Sequence, residues 1–198
     1  GSNWKFERIY RVNFFLSETL PKFGEDISGS QNTIFGDVPT IKHYIGEMYF
    51  LRAYEYFKKL MLFGDFPIIE KPLTDDKSTL IEASKRYPRN EVARFILSDL
   101  DKASEYMSEV DMATTRINKD LAELLKSRVA LFEASWLLNF KGTAFVPGGE
   151  DWPGASLYPN YQYPSGSIDK EIEFFLNQAV ESSKLVAEKY KSSLTENT

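Results

Sequence analysis

Apolar residues return at helical spacing along most of this chain, and two turn-rich stretches interrupt them. Over 4–20, Phe6, Ile9, Tyr10 and Phe14 share one face, while Glu7 and Arg11 stand four apart for surface pairing, which predicts a helix. It is expected to stop at Pro21, ahead of Gly24, Ser28, Gly29, Ser30 and Gly36. Over 48–63, twelve of sixteen residues are apolar, and the charged ones, Arg52, Glu55, Lys58 and Lys59, fall on a narrow stripe. A helix at 41–63 with so little polar circumference must be covered on several sides. Gly64 suits the left-handed residue that closes a helix, and Pro67 prevents resumption, so 64–74 is read as extended.

A third helix, 89–108, follows from Val92, Ile96, Leu100, Ala103 and Met107, with Pro88 suited to its first position and Asp99, Asp101 and Glu105 off the stripe. Asn118 is the expected cap of a helix over 118–138. Its faces carry Ala122, Leu125, Val129, Phe132 and Trp136 on one side and Leu121, Leu124 and Leu131 on another, with Lys119, Glu123, Lys126 and Glu133 in water. The last helix, 170–191, has Glu171 and Glu173 in its first turn, where the dipole favours them, and Ile172, Phe175, Ala179, Ser183, Val186 and Tyr190 on one face. No strand is predicted: the apolar piece 66–69 is short and holds Pro67.

Helices therefore pack on helices, in the pairs 41–63 with 89–107 and 118–138 with 170–191. Ala53, Ala103, Ala122, Ala130, Ala134 and Ala179 stand where close approach is needed. The fold class is all-α, a single domain of TPR-like stacked helical hairpins over 3–198, with long inserted loops that destroy any fixed repeat period. Gly1-Ser2, without an initiator Met, reads as a cloning scar, so any native targeting segment is expected to have preceded it.

Composition narrows the function. The 198 residues carry 24 Lys and Arg against 29 Asp and Glu, a net charge of −5 with no basic cluster, which argues against a nucleic-acid footprint and an electrostatic membrane anchor. No cysteine is present, so disulfides, thiolate sites and lipid attachment within this stretch are excluded. No apolar run reaches the roughly 18 residues that span a bilayer.

Catalytic constellations are missing. The sole histidine, His43, has Glu47 one turn on, and is read as a solvated helix-entry residue rather than a metal ligand. Asp75 with Asp76, in a loop, and Asp99 with Asp101, on a solvated helical face, are the nearest approach to paired carboxylates. No phosphate loop, nucleophile elbow or zinc-type histidine pair occurs, and no cofactor or metal is expected. Asn13 is read as a structural hydrogen-bonder to a neighbouring turn, and Arg52 as a buried pairing partner that ties a loop down.

The residues Glu47-Met48-Tyr49-Phe50-Leu51-Arg52-Ala53-Tyr54-Glu55-Tyr56-Phe57, followed by Phe63-Gly64-Asp65-Phe66-Pro67-Ile68-Ile69, resemble the signature of the SusD/RagB family. Members carry an E-A-x-F-L-R-A-x-x-Y-F helix ending in F-G-x-V-P-L-I, in which Arg52, Gly64 and Pro67 are the structural motif residues here. Residues 86–96 with Asp99, Leu100 and Ala103, residues 116–131, and residues 179–190 are similar to three further family segments in the same order. Pro88, Phe66 and Lys189 depart from its usual residues.

The resemblance implies a surface-exposed lipoprotein of the bacterial outer membrane that binds oligosaccharide or polysaccharide without catalysis. Such a protein forms a lid on a SusC-like TonB-dependent porin, contacts it through the TPR-like face, and delivers glycan for uptake. Membrane attachment would come only through a lipid anchor outside this stretch, and a C-terminal portion is expected to complete the fold. The natural candidate for sugar is the 139–168 loop. Prolines and glycines there can hold Trp152 outward, Tyr158, Tyr161 and Tyr163 can frame it, and Asn160 and Gln162 can meet hydroxyls, because sugar rings stack apolar C–H faces on aromatic rings. The alternative is a helical-repeat adaptor for a protein segment, expected if those rings are buried against the helices.

Overall fold

A computed structural model describes residues 3–24, 28–109 and 115–193. Among them are six α-helices: α1 (Glu7–Phe23), α2 (Val38–Phe63), α3 (Lys77–Ala83), α4 (Arg89–Tyr106), α5 (Lys119–Asn139) and α6 (Ile168–Tyr190). Among the described residues, extended backbone pairs only at an isolated antiparallel bridge between Phe66 and Tyr87. The fold is all-α, as the periodicity predicts. Neighbours pack in chain order, α1 on α2, α2 on α4, α4 on α5 and α5 on α6, so the two expected hairpins form and stack.

Boundaries shift where a cap decides them. Pro21 lies inside α1: near the end of the helix its missing N–H removes a single ladder bond, and the turn closes three residues later when Gly24 donates to the Leu20 carbonyl at φ +115°. Asp37 starts α2 earlier than expected by accepting from the Thr40 N–H, with Pro39 in the first turn. The 64–74 segment is non-helical after Gly64 (φ +65°) and bridges to Tyr87 at Phe66, but the seven-residue α3 behind it is too short to leave a periodic signature. Asp76, one of the candidate paired carboxylates, caps that helix through the Thr79 N–H and holds its own pKa down to about 2 by hydrogen bonds from Ser78 and Thr79. Pro88 is the cap residue of α4 rather than its first helical residue. Asn118 caps α5 through Leu121, as expected, and Ser167 caps α6 through Lys170.

The core holds Tyr56, Phe23, Phe66 and Phe175 among its largest fully enclosed side chains. Three carboxylates read as solvated or dipole-placed are instead enclosed in it. Asp99 of α4 accepts from Arg52 of α2 at 2.7 and 2.8 Å. Glu133 of α5 accepts from Arg89 of α4 at 3.0 and 2.9 Å. Glu171 of α6 accepts from Arg94 of α4 at 2.7 and 2.9 Å. Each pair is a two-bond clamp between two helices, α2 with α4, α4 with α5 and α4 with α6, which makes a charge tolerable on a packed face. Arg52 behaves as expected: its Nη1 also donates to Asn13 and to the Glu70 carbonyl, while Asn13 donates to the Ile69 carbonyl, so the extended segment is tied to α1 and α2.

His43 is buried rather than solvated. Its Nδ1 accepts from the Ser108 N–H, which places the ring proton on Nε2, donated to the Ile117 carbonyl at 3.0 Å. The second apolar face of α5 is not covered: Leu121, Leu124 and Leu131 are exposed, at 43, 48 and 53 %. Phe132 and Trp136 sit at the edge of the core and are only partly buried, because their side of α5 borders a cleft.

Candidate functional site

The long loop after α5 is built from stacked turns. Gly149 donates to the Val146 carbonyl and Glu150 to that of Gly142, folding the chain back so closely that a Cβ on Gly149 would lie 1.9 Å from the Thr143 oxygen. Asp151 and Asn160 both adopt φ +57°, a region these short polar side chains tolerate. These reversals aim the loop's rings at the helices.

Trp152 is turned inward, not outward, and is 4 % exposed. Its Nε1 donates to Asp65 Oδ2 at 2.8 Å, and Asp65 Oδ1 accepts from the Arg89 N–H at 2.9 Å, so one carboxylate joins the loop to the α2 exit and the α4 entry. Burial pushes the Asp65 pKa up despite both bonds. Gly154 lies on the indole: a Cβ there would meet Trp152 Cζ2 at 2.1 Å.

Tyr161 donates to Glu91 Oε1 at 2.9 Å and accepts from Asn90 at 3.0 Å, and burial raises its pKa. Tyr163 donates to the Pro147 carbonyl at 2.6 Å, and burial raises its pKa too. Tyr158 stacks on Trp152 at 6.2 Å and meets Tyr161 edge-on at 6.3 Å, and Tyr161 meets Tyr163 at 5.2 Å. The four candidate rings thus form one continuous run whose deep end is Trp152. Asn160 and Gln162 stay exposed, joined by a bond from the Gln162 amide to the Asn160 carbonyl.

Two recesses flank the run. A cleft of about 800 Å³ is bordered by Phe63, Arg86, Trp136, Phe145, Trp152 and Leu157. A shallower groove of about 490 Å³ lies between Glu70, Tyr87, Glu91, Arg94, Phe95 and Pro164. The sequence reading missed Asp65, Asn90 and Glu91 as anchors of the loop. For Asp65 the signal was available, since it sits between Gly64 and Pro67 in the segment that carries the resemblance. Among the described residues no cluster of three His, Asp or Glu side chains could hold a metal ion, and no helix is long and apolar enough to cross a membrane.

Residues 4–131 match the SusD-like family model described as starch-binding, associating with the outer membrane. The chain belongs to the SusD-like family. It is 28 % identical over 116 residues to the SusD-like protein P2 of Formosa agariphila, covering 59 % of this chain and 23 % of that protein. It also superposes on a crystal structure of a SusD-like protein from Bacteroides fragilis with a TM-score of 0.50 and 28 % identity, over 65 % of this chain and 22 % of that one. The chain therefore spans less than a quarter of the length of these relatives. Arg52, Gly64 and Pro67 lie inside the matched span, whereas the 139–168 loop follows it.

Proposed function

We propose that this SusD-like chain belongs to a non-catalytic, surface-exposed outer-membrane lipoprotein that captures oligosaccharide for uptake through a SusC-like TonB-dependent porin. The observation that carries this reading is the family match over α1, α2, α4 and the first half of α5, which contains the Arg52, Gly64 and Pro67 signature. The aromatic run of the 139–168 loop supports it, with Tyr158 and Asn160 at its solvent side and Tyr161, Tyr163 and Trp152 behind them as the frame. The open leucine face of α5 supports a protein partner on the helical side of the molecule.

A second reading, a helical-repeat adaptor without sugar affinity, is favoured by the burial of Trp152. A glycan array probed with the intact protein separates the two. Retention of at least one oligosaccharide class supports capture, and an array without signal supports the adaptor.

A further inference from the structure

Both tryptophans flanking the large cleft are already occupied. Trp136 has the Arg89 guanidinium 4.1 Å from its centroid and Phe140 at 4.5 Å, while Trp152 is covered by Gly154, Tyr158 and Tyr161. A sugar ring needs a bare aromatic face with hydrogen-bonding groups at its edge, and that combination occurs on the other side of the loop.

Tyr87 is 39 % exposed, and among the described residues no other ring stacks on it. Its backbone is fixed, since Phe66 and Tyr87 exchange both N–H to carbonyl bonds at 3.2 and 3.1 Å, so the ring is carried on a braced segment. Glu91, in the first turn of α4, is held at Oε1 by the Tyr161 hydroxyl, which leaves Oε2 to accept. Arg94 uses Nε and Nη2 on Glu171 and Ser165, so Nη1 is the nitrogen left to donate, and the exposed Glu70 stands on the opposite wall. Phe95 and Pro164 supply the apolar remainder.

Resting on the glycan-capture reading above, we infer that the groove between Tyr87, Glu91, Arg94 and Pro164 is a saccharide subsite. It would take one pyranose unit of a neutral oligosaccharide. The sugar lies with its C–H face on Tyr87, donates hydroxyls to Glu91 and Glu70, and accepts from Arg94 Nη1. The candidate loop then acts as a brace: Tyr161 orients Glu91, and Trp152 anchors the loop without touching sugar.

The test is calorimetric titration of the intact protein and its Tyr87→Leu and Glu91→Gln variants with maltoheptaose, cellohexaose, xylohexaose and mannohexaose, each variant checked by its melting temperature. An oligosaccharide that the parent binds should lose about tenfold in affinity in Tyr87→Leu, the loss of one stacked ring, and a comparable amount in Glu91→Gln. Leucine keeps the apolar bulk, so the bridge to Phe66 survives. Should Glu91→Gln unfold, Tyr87→Leu alone decides. Unchanged affinity in folded variants overturns this subsite while leaving glycan capture standing. A parent that binds none of the four, with an empty glycan array, overturns the capture reading itself and the subsite with it.

Discussion

The Arg52 guanidinium closes on the Asp99 carboxylate through Nε and Nη2 at 2.7 and 2.8 Å, in a site where neither side chain reaches water. One fork thus locks α2 to α4, and the nitrogen it does not use on Asp99 reaches back to Asn13 of α1 and the Glu70 carbonyl. Removing either partner strands the other in the core, at a cost of about 3 to 5 kcal/mol. Asp99→Ala and Arg52→Ala should each lower the denaturant midpoint by that measure. Replacing both with apolar residues should recover much of the loss. A double variant as unstable as the two singles summed would give a coupling energy of zero, and would overturn the idea that each single variant strands its partner.

Trp152 is expected to behave as a packing residue. Truncation to Ala removes a buried indole and should cost about 3 to 5 kcal/mol, visible as a lower melting temperature. Trp152→Phe keeps most of the volume and deletes the Nε1 bond to Asp65, for which about 1 to 3 kcal/mol is expected because Asp65 loses a donor to its buried carboxylate. A Trp152→Ala protein that melts with the parent would return the indole to the surface.

Gly154→Ala tests the same contact from the other side. The added methyl would sit 2.1 Å from Trp152 Cζ2, and the ring cannot retreat while Asp65 holds its nitrogen. Overpacking of about 1 to 3 kcal/mol is expected, with the change in Trp152 fluorescence on unfolding shifted to lower denaturant. Gly142→Ala is the companion: nothing lies within 4 Å of its Cβ position, so its cost comes only from the backbone at φ +81°.

The helices were legible because burial on one face leaves a period in the sequence, and Ile96, Leu100 and Ala103 or Ile172 and Phe175 carry it plainly. The charged core was not legible. Asp99, Glu133 and Glu171 look like any solvated carboxylate until partners 47, 44 and 77 residues away are known. The open face of α5 misled in the opposite sense, since Leu121, Leu124 and Leu131 have the residue type of a packed face and stay exposed among the described residues. For the loop, the aromatic run could be seen, but its direction could not. The Asp65 carboxylate that turns Trp152 inward lies 87 residues upstream, and the rings Tyr161 and Tyr163 are fixed by Asn90, Glu91 and the Pro147 carbonyl.

Glu171 gives the pH dependence. Burial pushes its carboxyl up, but hydrogen bonds from Arg94, Asn90 and Ser165, with the Arg94 charge, outweigh that and hold its pKa below the usual glutamate value. A folded-state pKa depressed below the unfolded one means that the unfolded chain binds the proton first, so the stabilisation is complete above the unfolded pKa, about 4.3, and is lost as pH falls through the folded value. Glu171→Gln should therefore be less stable than the parent at pH 7, where the charge-assisted fork to Arg94 is missing, and the gap should narrow as the solution is taken below about pH 4. Urea midpoints of the two proteins at pH 7, 5, 4 and 3 measure it. A gap that stays constant through that range would mean that Glu171 contributes by shape and neutral hydrogen bonding alone, and a gap that widens toward acid would reverse the sign of the shift.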